Sequence, residues 1–136
     1  MRMFKGRVWG LSMGCLLACL LAVSGCGGNS GETEVSGKVT QDGQPLEVSE
    51  QGEFVMVFYE LKNGQMGERS YVASIQRSGE YQVALPPGEY RVGVQLMDPY
   101  VKQVDKLRGA YGQMKSPITV QITEESTTVD IELNRS

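Results

Sequence analysis

The chain has 136 residues, with 13 Lys and Arg against 16 Asp and Glu and no histidine, a size that sets one domain as the expectation. Arg2, Lys5 and Arg7 lie in the first 25 residues and no acid does, so the remainder carries 10 cations against 16 acids, a net −6. An acidic chain of this kind argues against nucleic acid as a partner, and Cys26, the one cysteine after residue 25, excludes an intramolecular disulfide and any Cys/His metal site there.

Met1 to Gly25 has a basic start, the apolar run Leu11 to Val23, and then small residues. The run is short for a bilayer span and has the three regions of a secretory signal, so residues 1–25 are expected to be a cleaved helical signal peptide. Val23-Ser24-Gly25-Cys26 matches a bacterial lipobox, in which cleavage precedes a diacylglyceryl-bearing cysteine. Acyl chains contribute about 0.8 kcal/mol per buried methylene, so a lipidated Cys26 would hold the chain stably on a membrane. Residue 27 is glycine and not the aspartate that often retains lipoproteins at the inner membrane, so the resemblance to such lipoproteins implies the outer membrane. Residues 26–33 are glycine-rich and read as a flexible tether, and 34–134 as the folded domain.

Val35, Gly37 and Val39 alternate with Ser36, Lys38 and Thr40, the pattern of a first strand. Asp42-Gly43-Gln44-Pro45 is a turn, and the polar stretch from Leu46 to Gly52 is expected to be loop. Glu53 to Tyr59 is almost wholly apolar, which predicts a central strand covered on both faces. Asn63-Gly64 marks another turn, and Arg69 to Ile75 a weaker strand with Tyr71, Ala73 and Ile75 on one face. Tyr81/Val83/Leu85 and Tyr90/Val92/Val94/Leu96 then alternate on either side of Pro86-Pro87-Gly88, which predicts a β-hairpin at the centre of the fold. Asp98-Pro99 suits a helix start, and Val101, Val104 and Leu107 recur at helical spacing, predicting a short helix over Pro99–Arg108. Two last strands follow, on Ile118/Val120/Ile122 and Val129/Ile131/Leu133. Seven short strands with turns roughly every ten residues predict an all-β, seven-stranded sandwich, largely antiparallel.

The motifs Val35-Ser36-Gly37-Lys38-Val39, Asp42-Gly43-Gln44-Pro45-Leu46, Gly79-Glu80-Tyr81, Leu85 to Val92 and Val129-Asp130-Ile131-Glu132-Leu133 together resemble a carboxypeptidase regulatory-like domain. The resemblance covers most of Glu34 to Leu133 and implies a transthyretin-like Greek-key sandwich. The stretch from Tyr111 through Lys115-Ser116-Pro117 to Val120 is similar to that of a small bacterial lipoprotein subset of the family. Such domains are generally non-catalytic modules for stability, adhesion or carbohydrate contact, and no family site motif carries over. Two departures stand out. Glu47 to Glu53 intervenes where the family goes on directly after Pro-Leu, and Asp98–Lys115 is long for the family.

Candidate chemistry is sparse. Gly10-Leu11-Ser12-Met13-Gly14 fits a nucleophile elbow but sits in the signal's apolar run, without a histidine to serve it. Gly31 to Lys38 imitates a phosphate loop with the wrong spacing and leads into a strand. Asp42, Glu47, Glu50 and Glu53 could supply oxygens to Ca²⁺ but lack the ordered spacing of a calcium loop, so a solvated acidic loop is the reading preferred. No catalytic residue, metal or cofactor is expected. Tyr100 and Tyr111 flank the long segment outside any strand's apolar set, and at least one is expected to face outward as a ligand contact. The expected role is a non-catalytic lipoprotein of the cell envelope, held by Cys26, acting as a structural or protein-interaction module. The alternative is a carbohydrate-binding module using the 98–115 loop. The partner is an unknown envelope protein or polysaccharide, not nucleic acid.

Overall fold

The computed structural model of the chain describes residues 31–126 and 128–134; the signal peptide, Cys26 and the tether as far as Ser30 lie outside them. Nine strands occur in the order β1 (Thr33–Gln41), β2 (Gln44–Pro45), β3 (Glu53–Lys62), β4 (Gln65–Val72), β5 (Ser74–Ile75), β6 (Glu80–Leu85), β7 (Gly88–Met97), β8 (Thr119–Ile122) and β9 (Ile131–Leu133). The seven expected from the sequence are present except that the one expected over Arg69 to Ile75 is split into β4 and β5, in different sheets, and β2 is an additional two-residue piece. One sheet runs β2-β1-β6-β5 with β9 also against β1, and the other runs β4-β3-β7-β8. The pairs are antiparallel except β9 with β1, where the last strand lies parallel to the first with Ile131 opposite Val39.

The two sheets face each other as a sandwich. Period-two alternation aims Val35 and Val39 from β1 and Tyr81, Val83 and Leu85 from β6 at Phe54, Met56 and Phe58 from β3 and Tyr90, Val92, Val94 and Leu96 from β7. Ile122, Ile131 and Leu133 complete the fill. The rings join at the centre: Phe58 lies 5.9 Å from Tyr81 and 6.3 Å, edge-on, from Tyr90, and Tyr71 meets Tyr90 edge-on at 5.9 Å. Each buried phenol finds an acceptor, Tyr81 in the Val129 carbonyl and Tyr90 in the Pro86 carbonyl at 2.6 Å. The far face of β3 is only half-buried, on Val55, Val57 and Tyr59, so the apolar run does not bury both faces equally as expected.

The central hairpin expected at Pro86-Pro87 is replaced by a corner. β6 pairs with β1 and β5, whereas β7 pairs with β3 and β8, so the turn carries the chain from one sheet to the other. Both apolar sets still point inward, but they face one another across the core. Pro86 and Pro87 have no N–H to offer a ladder, and the Tyr90 hydroxyl bonded four residues back to Pro86 fastens the corner. A second crossing occurs at Ala73. The Ala73 amide still bonds to the Met56 carbonyl at 2.9 Å in β3's sheet, and Ser74 then pairs with Gln82 in the other. The two-residue turns are as expected: Asp42-Gly43 and Asn63-Gly64 have φ of 53° and 76° each, the paired positive values of a type I′ hairpin.

Gly37 is required by a close approach. A Cβ there would stand 1.9 Å from the Val129 carbonyl oxygen and 2.9 Å from the Tyr81 ring, so only glycine lets the C-terminal segment bond its Val129 amide to Ser36 O at 2.8 Å.

Candidate functional site

A recess of about 1010 Å³ opens at the end of the sandwich where β1 finishes, among Gln41, Gln44, Glu47, Asp98, Lys106 and Arg108. Its floor is apolar, on Leu46, Leu96, Leu107 and Tyr111. Thr33, where β1 begins, pairs with Leu85 beside the proline corner at the opposite end. Eight residue steps along β1 separate the two ends, about 27 Å at strand rise.

Each wall is fixed by hydrogen bonds from outside its own segment. The β1–β2 turn is held by Glu132, whose carboxylate accepts from the Thr40 hydroxyl and from the Gly43 amide at 2.6 Å. Those bonds, the hydroxyl's first, hold the Glu132 carboxyl below its ordinary range. The other wall is made by the 46–52 and 98–115 segments, and they meet. The Ser49 hydroxyl and amide donate to Asp98 at 2.6 and 3.0 Å, and the Tyr100 amide to the Gln51 carbonyl at 2.8 Å. Ser49 holds the Asp98 carboxyl below its usual range, again chiefly through the hydroxyl. Gly52 is buried at this junction, and a Cβ would come within 2.7 Å of Val48 Cγ1 and 2.8 Å of Asp98 Cγ.

The predicted Pro99–Arg108 helix does not form. Only a 3-10 turn, Tyr100–Lys102, is present, closed by Gln103 in the left-handed region at φ 53°. Asp105 provides the competing structure: its carboxylate accepts from the amides of Leu96 (3.2 Å), Leu107 (2.9 Å) and Gly109 (2.9 Å), drawing the chain into turns against β7. Beyond it, the Lys106 amide bonds to Leu96 O, Val94 to Tyr111 O and Val92 to Ile118 O, at 2.8 to 2.9 Å. Residues 105–118 thereby cover the edge of β7 that β8 leaves open.

The tyrosines part company. Tyr111 is 6% exposed, its ring packed in the core and its hydroxyl bonded to the Asn134 carbonyl, so it is not the outward contact considered from the sequence. The β7 pairing of its own carbonyl turns the side chain inward. Tyr100 is 47% exposed and faces outward. The apolar stripe divides likewise: Leu107 is buried, while Val101 and Val104 are 84% and 43% exposed. Cys26 lies outside the described residues. Among those residues no three His, Cys, Asp or Glu side chains gather to hold a metal, and no helix is long and apolar enough to cross a membrane. Gln41, Gln44, Asn134, Lys106 and Arg108 came from no sequence signal, because the recess is assembled from four separate parts of the chain.

No family model and no curated protein matches the chain. Among solved structures, a leucine-rich repeat protein from Bacteroides thetaiotaomicron VPI-5482 aligns over 79% of this chain and 12% of its own, at 13% identity and a TM-score of 0.45. A DUF3823 family protein from Bacteroides ovatus ATCC 8483 aligns over 74% of this chain and 43% of its own, at 20% identity and a TM-score of 0.40. The chain spans less than half the length of either protein.

Proposed function

We propose that the chain is a non-catalytic lipoprotein of the cell envelope, anchored to a membrane through lipidated Cys26, outer membrane favoured, whose carboxypeptidase regulatory-like sandwich serves as a protein-interaction module. One observation carries the reading. The N-terminal strand enters at the proline-corner end, and the recess with both unusual loops lies at the other, so an anchor ahead of β1 would leave the recess facing away from its own membrane. The recess suits a polar chain segment as ligand, with amides and charges of both signs at the rim and an apolar floor.

Two measurements test this. Metabolic labelling with an alkyne palmitate should tag the wild type and not Cys26→Ser; equal tagging of both would remove the anchor. A photo-crosslinking residue in place of Gln44 should capture a discrete protein from intact envelopes, and one in place of Gln65, on the β3–β4 hairpin, should not. The carbohydrate-binding alternative draws on Gln41, Gln44 and Asn134, amides of the kind that read sugar hydroxyls, with Tyr100 nearby in sequence to the same loop. Retention on a glycan array, lost in Gln41→Ala with Gln44→Ala, together with no protein adduct, would select it.

A further inference from the structure

Next to the recess, the 3-10 turn exposes Tyr100 and Val101 and the following residues expose Val104, three apolar side chains at one protruding bend. The bend is not loosely held. Its amides are spoken for by Tyr100 to Gln51 O, Gln103 to Tyr100 O and Asp98 to Val104 O, at 2.8 to 2.9 Å. Rigidly presenting apolar groups to water brings no stability to the fold itself.

Positive charge is concentrated on the bend's own segment, while the 46–53 segment bonded to it at Gln51 carries the acids Glu47, Glu50 and Glu53. Lys102, Lys106, Arg108 and Lys115, all exposed, are four of the ten cations that follow residue 25, and the 98–115 segment is net +2 in a remainder that is net −6. Its two acids are turned to internal use, Asp98 on Ser49 and Asp105 on three backbone amides. The segment therefore offers apolar side chains flanked by lysines, on a molecule whose remaining surface repels anions.

We infer that this bend docks on an anionic lipid surface, with Tyr100, Val101 and Val104 entering the headgroup region and Lys102 and Lys106 against lipid phosphates. Size decides between this and a protein partner. A stable protein interface takes about 800 Å² from each side, more than three side chains on one turn supply, whereas an interfacial lipid contact needs only shallow burial of a few apolar groups plus cations. Each lysine near such a surface is worth about fivefold in partition, and the attraction falls with salt. The inference rests on the anchored reading only for direction: with Cys26 held in one membrane, the bend would meet a second one.

The test uses the full chain reconstituted into phosphatidylcholine vesicles, mixed with a second, dye-labelled population of phosphatidylcholine alone or with about one-third phosphatidylglycerol. Co-flotation with the first population reports the anchor. Docking of the second reports the bend, and if the chain does not anchor, its own partition between the two lipid compositions reports the bend instead. Docking should require the anionic lipid, weaken at least tenfold in Val101→Asp and in the double variant Lys102→Glu/Lys106→Glu, and fade at high salt. Lys62→Glu, equal in charge change per residue but on the β3–β4 hairpin, should dock as wild type. The bend residues are exposed, so melting temperatures of their variants should not move. Equal docking on both lipids, unaffected bend variants, an equal loss in Lys62→Glu, or binding to polyglutamate-coated beads without binding to anionic vesicles would each overturn the inference, the last in favour of an acidic protein partner.

Discussion

Asp105 is expected to decide whether residues 98–118 belong to the domain's cooperative unit. Its carboxylate accepts three backbone amides, and two of them bind the segment to itself at Leu107 and Gly109 while the third, Leu96, belongs to β7. Asp105→Ala leaves all three donors without that partner, beside a leucine that is 8% exposed. A hydrogen bond to a charged acceptor is worth about 1.5–3 kcal/mol, but three bonds to one group are not additive, so about 3 kcal/mol is the expected total. For a domain of this size that is a fall of about 15 °C in melting temperature. Asp105→Asn keeps one accepting oxygen and should cost about half as much. Circular dichroism melts give the magnitude, and hydrogen exchange at the Leu96, Leu107 and Gly109 amides gives the place. If Asp105→Ala melted within about 2 °C of wild type, or exchange did not accelerate at those amides, the segment would not be fastened as described.

The two tyrosines should separate cleanly in the same melts: Tyr111→Ala should cost about 3–5 kcal/mol as a core truncation, and Tyr100→Ala less than about 0.5. Gly37→Ala should destabilise severely, since its Cβ would overlap the Val129 carbonyl, and the C-terminal segment should be the first to lose exchange protection. Stability should fall at both extremes of pH. Asp98 and Glu132 hold their protons less tightly folded than unfolded, against ordinary values of 3.8 and 4.5, so their contribution is complete above about pH 5 and is lost as pH falls through that range and below it. Burial pushes the Tyr90 hydroxyl up to about 12 from 10.0, and raises Tyr81 too, so their contribution is present below about pH 10 and is lost above it; a pH series of melts with Tyr90→Phe should flatten part of the alkaline limb.

The strands were legible because alternation is local. Tyr81, Val83 and Leu85, or Phe54, Met56 and Phe58, share a face whichever strand lies beside them, so the inward set could be assigned before any pairing was known. Pairing was not legible in the same way. A short turn between two alternating runs serves equally for a hairpin within one sheet and for a corner between two, and the inward phase is the same in both. The discriminating signal was Pro86-Pro87, two residues without donors next to a Tyr four residues on, and it points to the corner. Ala73 is a parallel case: Tyr71, Ala73 and Ile75 keep one phase while the chain changes sheets beneath them.

The recess was hidden for a different reason. Neither 46–52 nor 98–118 is stabilised by a repeat of its own. Each is ordered by the other and by β7: Ser49 on Asp98, Gln51 on Tyr100, Asp105 on Leu96. The helical spacing of Val101, Val104 and Leu107 misled because it recorded a coincidence of two roles, one residue for the core and two for the surface. Composition did hold one useful signal. The polar stretch from Leu46 to Gly52 and the segment from Asp98 to Lys115 are both longer than a tight turn and rich in backbone and side-chain hydrogen-bonding groups, which pair with whatever lies within reach. Two such segments at the same end of a sandwich can satisfy each other. Their contact here means that neither segment of that wall is independent, so Ser49→Ala should loosen Tyr100 and the cationic bend even though it touches neither.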